Sequence, residues 1–111
     1  PREKGSNYPP YNLIEESKNI YRIEMAVAGF SKDSIEIFEE EGKLTIVGDR
    51  NEEDTSDEEL WHYNGLAQRR FSRSFNLAPN VEVTEAKLEN GILVVRFLKD
   101  ENKNRKTIEI R

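Results

Sequence analysis

An all-β fold, an immunoglobulin-like antiparallel β-sandwich, is what this 111-residue sequence predicts. Three observations predict it. Apolar and polar residues alternate along several short runs, as strands with one buried face require. The dipeptide Asn90-Gly91 separates two such runs, and glycine readily takes the positive φ of a tight hairpin turn. No long stretch carries a 3.6-residue period. Composition agrees, since hydrophobic and charged residues each make up 35% of the chain. The core must then be thin, which a sandwich tolerates because each strand needs only one apolar face. Roughly seven to nine strands suit a domain of this length.

Taken in order, Tyr8-Pro9-Pro10-Tyr11-Asn12-Leu13-Ile14 reads as an edge strand, the place where prolines are tolerated. Residues 15–19 read as a polar turn. Over residues 20–28, Tyr21, Ile23, Met25 and Val27 share one face while Arg22 and Glu24 take the other. Gly29-Phe30-Ser31-Lys32-Asp33 turns the chain, and Ile35 and Ile37 begin the next strand. A second turn at Glu39-Glu40-Glu41-Gly42 leads to a strand with Leu44 and Ile46 on one face and Val47 on the other. Residues 49–59 hold seven acidic side chains and no large apolar one, too little to order a segment, so a mobile loop is expected. Leu60-Trp61-His62-Tyr63 follows as an abrupt aromatic cluster. Along residues 68–77, Phe71, Phe75 and Leu77 share a face with Arg69 and Arg73. Val81 and Val83 are in phase with each other, but Ala86 and Leu88 have the opposite parity, so a bulge is expected near Thr84-Glu85. Residues 92–98 are apolar on both faces, as in a central strand. A hydrophilic tether, residues 100–107, then reaches Ile108-Glu109-Ile110.

The length suits one domain, over residues 8–99, with residues 1–7 as a linker or remnant and 100–111 as a tail. A chain opening on Pro1 without methionine is expected to lack an N-terminal part. The absence of cysteine excludes disulfide and thiol chemistry and fits a reducing compartment. No apolar run approaches the roughly 20 residues of a membrane helix, and no signal-peptide pattern opens the chain. The expectation is a soluble cytoplasmic protein without a membrane partner. A net charge of −5 argues against general nucleic-acid binding.

Catalytic patterns are scarce. His62 is the sole histidine, so a zinc site would have to be completed by carboxylates, an uncommon arrangement. No nucleophile-elbow sequence supports a serine triad. Most of the 22 acidic residues lie in charge runs, where a solvated face is the ordinary reading. The glycines are scattered singly and form no phosphate-cradling motif, so neither metal nor cofactor is expected. Arg69-Arg70-Phe71-Ser72-Arg73-Ser74-Phe75 mixes basic and aromatic residues as single-strand nucleic-acid platforms do, but parity turns both phenylalanines inward. Arg73 lies between them and needs a carboxylate partner or an interface, which marks it as a structural or subunit-interface arginine.

Two segments suggest assembly. Leu60, Trp61, His62 and Tyr63 either fold back on their own domain or form a strand donated to a partner, where main-chain pairing supplies affinity. Ile108 and Ile110 form either a last strand of the sandwich or, the favoured reading, an inter-subunit knuckle. The eight-residue tether spans up to roughly 27 Å when extended. Two isoleucines at i and i+2 point the same way. Burying each is worth on the order of 1.5–3 kcal/mol before entropy, so one contact exchanges readily and many hold by avidity.

Ala86-Lys87-Leu88-Glu89-Asn90-Gly91-Ile92-Leu93 followed by Ile108-Glu109-Ile110 resembles the small heat shock proteins, the α-crystallin-type chaperones, whose hallmark is A-x-x-x-N-G-[VI]-L with a C-terminal I-x-I. The resemblance covers residues 8–111, with Ala26-Val27-Ala28-Gly29-Phe30, Leu44-Thr45-Ile46-Val47-Gly48 and Phe71-Ser72-Arg73-Ser74-Phe75-Asn76-Leu77 in order. Tyr8-Pro9-Pro10-Tyr11-Asn12 and Gly65-Leu66-Ala67-Gln68-Arg69-Arg70-Phe71 are most similar to its bacterial inclusion-body-binding class. Leu77-Ala78-Pro79 departs from the family's usual Leu-Pro. The resemblance implies an α-crystallin domain that dimerises when Leu60–Tyr63 pairs with the partner's Tyr11 and Leu13 edge. It also implies a groove of Ile35, Ile37, Ala86 and Leu88 receiving Ile108 and Ile110 in higher homo-oligomers, with Arg73 as the family's strand arginine. It further implies ATP-independent holding of non-native client proteins, refolding being left to ATP-dependent chaperones. The rivals are a monomeric p23-like co-chaperone, a carbohydrate-acting sandwich enzyme and a jelly-roll shell subunit.

Overall fold

The structure, a computed structural model, describes residues 7–50, 60, 62, 70–102 and 105–111. Seven strands fill that span: β1 Tyr11–Ser17, β2 Ile20–Ala26, β3 Ile35–Glu40, β4 Lys43–Asp49, β5 Arg70–Asn76, β6 Val81–Glu89 and β7 Ile92–Lys99. They form two antiparallel sheets, one of four strands in the order β1-β2-β7-β6 and one of three in the order β3-β4-β5. A 3-10 turn, Lys32–Ser34, closed by the Ser31 amide donating to Ser34 Oγ at 2.9 Å, carries the chain from the first sheet to the second.

The period-2 alternation builds the core directly. Ile23, Met25 and Val27 face inward from β2 and its extension, paired in register with Val95 and Leu93 of β7. Leu44 and Ile46 of β4, Phe71 of β5, Phe97 and Phe30 complete the buried cluster. β7 lies between β2 and β6, as its two apolar faces require. Gly48 pairs with Phe71 across β4 and β5, and a Cβ at that glycine would run into the Phe71 ring.

The turns follow their sequence signals. Asn90 and Gly91 have φ of 54° and 80°, the pair of positive values that a two-residue hairpin demands, and Glu89 faces Ile92 across it. Glu41 and Gly42 repeat that geometry between β3 and β4, at 53° and 76°. The β6–β7 register shifts between Val83 and Glu85, where the parity slip predicted a bulge, and Thr84 Oγ1 donates to the Arg96 carbonyl at 3.3 Å.

One expectation is corrected. β1 begins at Tyr11, not Tyr8, and runs through Ser17, so Glu15 and Glu16 belong to a strand and the turn shrinks to Lys18 and Asn19. Pro9 and Pro10 have no N–H for a ladder, which delays the start. At the other end, Glu16 meets Arg22 and Arg96 of neighbouring strands, giving a polar segment a reason to stay extended. Among the described residues, no helix is long and apolar enough to cross a membrane.

Candidate interaction surfaces

Two sheets of unequal width leave two lateral seams, one where the β3 and β6 edges approach and one where β1 meets β5. The β3/β6 seam is open. It holds a groove of about 280 Å³ lined by Ile35 and Ile37 of β3, Ala86 and Leu88 of β6, Leu93 of β7, and the stems of Lys32 and Lys87. All four residues predicted for a groove are therefore brought together. Alternation turns Ile35 and Ile37 toward the core, and the bulge at Thr84 puts Ala86 and Leu88 in phase with the same interior. Leu88 and Leu93 are cross-strand partners flanking the Asn90-Gly91 turn. Ala86 contributes only a methyl group, which keeps the floor low. The lysines and Leu93 escaped the sequence reading: Lys32 looked like an ordinary turn residue, and Leu93 like pure core.

The β1/β5 seam is closed by rings. Tyr11 packs edge-on against Phe75 with centroids 5.1 Å apart, and the Arg73 guanidinium carbon lies 4.9 Å from the Tyr11 centroid. Further along, Phe71 takes edge contacts from Tyr8 and Phe30 at 6.1 and 5.1 Å. Arg73 is half-buried, on the inward face that parity predicted. Tyr11, expected at a partner's strand, thus has its ring on Phe75 of its own chain. Leu13, next on that face, is 64% exposed.

The outer face of the four-stranded sheet carries an ion lattice of which the sequence showed only the Arg22/Glu24 alternation. Glu16 of β1 accepts from Arg22 Nη1 at 2.9 Å and from Arg96 Nε at 3.2 Å. Arg22 Nε donates to Glu24 at 2.9 Å, and Arg96 Nη1 reaches Glu85 of β6 at 3.6 Å. Hydrogen bonding from Arg22 holds both the Glu16 and Glu24 carboxyls below the ordinary glutamate value, helped by Arg96 at Glu16 and by Asn12 at Glu24. The two glutamates in turn raise the Arg22 guanidinium.

Of the aromatic cluster, Leu60 is 80% exposed and His62 is exposed, while Trp61 and Tyr63 lie outside the described residues. Ile108 and Ile110 are 77% and 93% exposed and belong to no strand of their own domain. In a single chain, then, the tail and the groove stay apart.

Two twisted antiparallel sheets, an open β3/β6 edge and an apolar I-x-I tail define an α-crystallin-type sandwich, and known proteins agree. Residues 13–111 match the Hsp20/alpha crystallin family. The small heat shock protein IbpA of Serratia proteamaculans is 41% identical over 91 residues, which are 82% of this chain and 65% of that protein. HspD of Bradyrhizobium diazoefficiens is 39% identical over 99 residues, 89% of this chain and 64% of HspD. This chain thus spans a little under two thirds of the length of these relatives. The solved small heat shock protein of Synechococcus phage S-ShM2 aligns with a TM-score of 0.73 at 35% identity, over 94% of this chain and 98% of that one. The chain belongs to the Hsp20/alpha crystallin family, and the likeness to IbpA agrees with the inclusion-body-binding class expected from Tyr8-Pro9-Pro10-Tyr11-Asn12.

Proposed function

We infer that this chain is the folded domain of a cytoplasmic, ATP-independent holdase that keeps partly unfolded proteins from aggregating. The observation that carries the reading is the pairing of an apolar groove between β3 and β6 with two exposed isoleucines on a tether from the same chain. A groove that its own tail leaves open, and a tail that its own domain leaves bare, are complementary parts of neighbouring copies. Dimers form when Leu60–Tyr63 of one copy pairs with the β1 edge of another, covering Leu13. Tails docked in grooves then link dimers into exchangeable oligomers. Warming loosens these weak contacts and bares apolar surface to which a client's exposed core binds. ATP-dependent chaperones would take over refolding.

Light scattering on the chain and on Ile108→Ala/Ile110→Ala tests the assembly. The parent is expected above dimer mass and the variant at dimer mass; two monomers would overturn the reading and favour a p23-like binding module. Suppression of turbidity of a heat-unfolding enzyme, unchanged by added ATP, tests the activity. A parent that leaves turbidity unaltered at equimolar ratio would sink the holdase assignment.

A further inference from the structure

β1 is a poorly supported strand. Six of its seven residues are exposed, and among the described residues it pairs only with β2, with a register irregularity between Glu15 and Ser17. Burial alone does not hold such a segment flat, because each exposed residue gains little area against the entropy of ordering it. Two attachments compensate. At its C-terminal end, Glu16 is tied on the outer face to Arg22 and Arg96. At its N-terminal end, on the inner face, Tyr11 lies between the Phe75 ring and the Arg73 guanidinium of the opposite sheet. The strand is pinned at both ends, and between the pins Ile14 is half-buried while Leu13 is exposed.

We propose that Tyr11, held by Phe75 and Arg73 of its own chain, is a positioning residue that fixes the outer edge of β1, opposite β2, for pairing with a second copy of this chain. The inference rests on the dimer reading above and gives Tyr11 a role different from direct contact with the partner. A strand already extended, with its unpaired N–H and C=O groups aligned, adds a partner strand without first losing its own backbone entropy. The two pins also differ in kind. The edge-on ring contact and the cation–π contact depend weakly on salt, whereas the Glu16 contacts are partly solvated and are screened.

Amide hydrogen exchange and sedimentation of the parent, Tyr11→Leu, Tyr11→Phe and Glu16→Gln test this. Leucine keeps apolar bulk but removes the ring, while phenylalanine keeps the ring. The expected result for Tyr11→Leu is a loss of protection confined to β1, strongest toward its N-terminal end, with β2 and β7 unchanged. Its dimer dissociation constant should rise about tenfold, the sum of an aromatic-pair and a cation–π contribution. Tyr11→Phe should retain both properties. Glu16→Gln should loosen the C-terminal end of β1, and about 1 M salt should mimic it in the parent. Parent-like β1 protection in Tyr11→Leu would overturn the latch. Loosened β1 with unaltered dimer affinity would overturn the positioning role. A parent that stays monomeric overturns the dimer reading itself, separately from what exchange shows for the latch.

Discussion

The two seams of this sandwich are built from the same alternation and end in opposite states. At the β1/β5 seam, Tyr8, Tyr11, Phe71 and Phe75 span the gap between the sheets with edge-on ring contacts, and Arg73 lies over the outermost ring. At the β3/β6 seam stand Ile35, Ile37, Ala86 and Leu88, aliphatic side chains that line an open groove of about 280 Å³. Rings thus close one edge within the domain, and the aliphatic edge stays open. The closed seam stabilises the fold, and the open seam stores unspent apolar surface for another chain.

The largest effect should come from breaking the closed seam. Phe71→Ala removes the ring that fills the space over Gly48 and takes contacts from Tyr8 and Phe30. A loss of about 3–5 kcal/mol is expected from buried aromatic truncation, read as a lower urea midpoint. A loss under about 1 kcal/mol would mean that this seam contributes no more than a surface would. Filling the open seam should do the reverse. Ala86→Phe projects a ring into space that the fold leaves open, so stability, read from urea unfolding, should change by less than about 1 kcal/mol. Assembly beyond the dimer should nevertheless disappear in light scattering. Unfolding of Ala86→Phe, or oligomers of parent size, would show that the two seams are not distinct in the way described.

Legibility in the sequence divides along the same line. Parity assigns a face, so the inward rows and the bulge at Thr84 are legible in the residues themselves, whereas the gathering of Ile35, Ile37, Ala86 and Leu88 into one groove is implied only by the family resemblance. Parity says nothing of what stands opposite a face. Tyr11 could be placed at an edge, but whether its ring met a partner or Phe75 depends on how far β5 extends beneath β1. Polar strands mislead for a related reason: Glu16 resembles a turn residue until Arg22 and Arg96 are seen beside it. Lys32 was hidden because a turn residue reveals its neighbours only after the chain crosses between sheets.

The smallest effect concerns the outer lattice, which supports β1 without belonging to either seam. Glu16 and Glu24 are held below the ordinary glutamate value of 4.5 by Arg22. A carboxyl depressed in the folded state contributes stability that is fully present above its unfolded value. That contribution is lost as pH falls through the lower, folded-state value. The urea midpoint of the parent should thus hold from about pH 7 to about pH 5 and decline below 4.5, where other carboxylates add to the slope. Glu16→Gln has no carboxylate to take up a proton as pH falls, so its decline should be shallower and the two curves should converge toward acid. Because these side chains are about a quarter exposed, water and salt screen them, and the gap should narrow further in about 1 M salt. Parallel curves from pH 3 to 7 would leave the lattice without a role in stability, and β1 would then depend on its ladder with β2 and on the Tyr11 contacts.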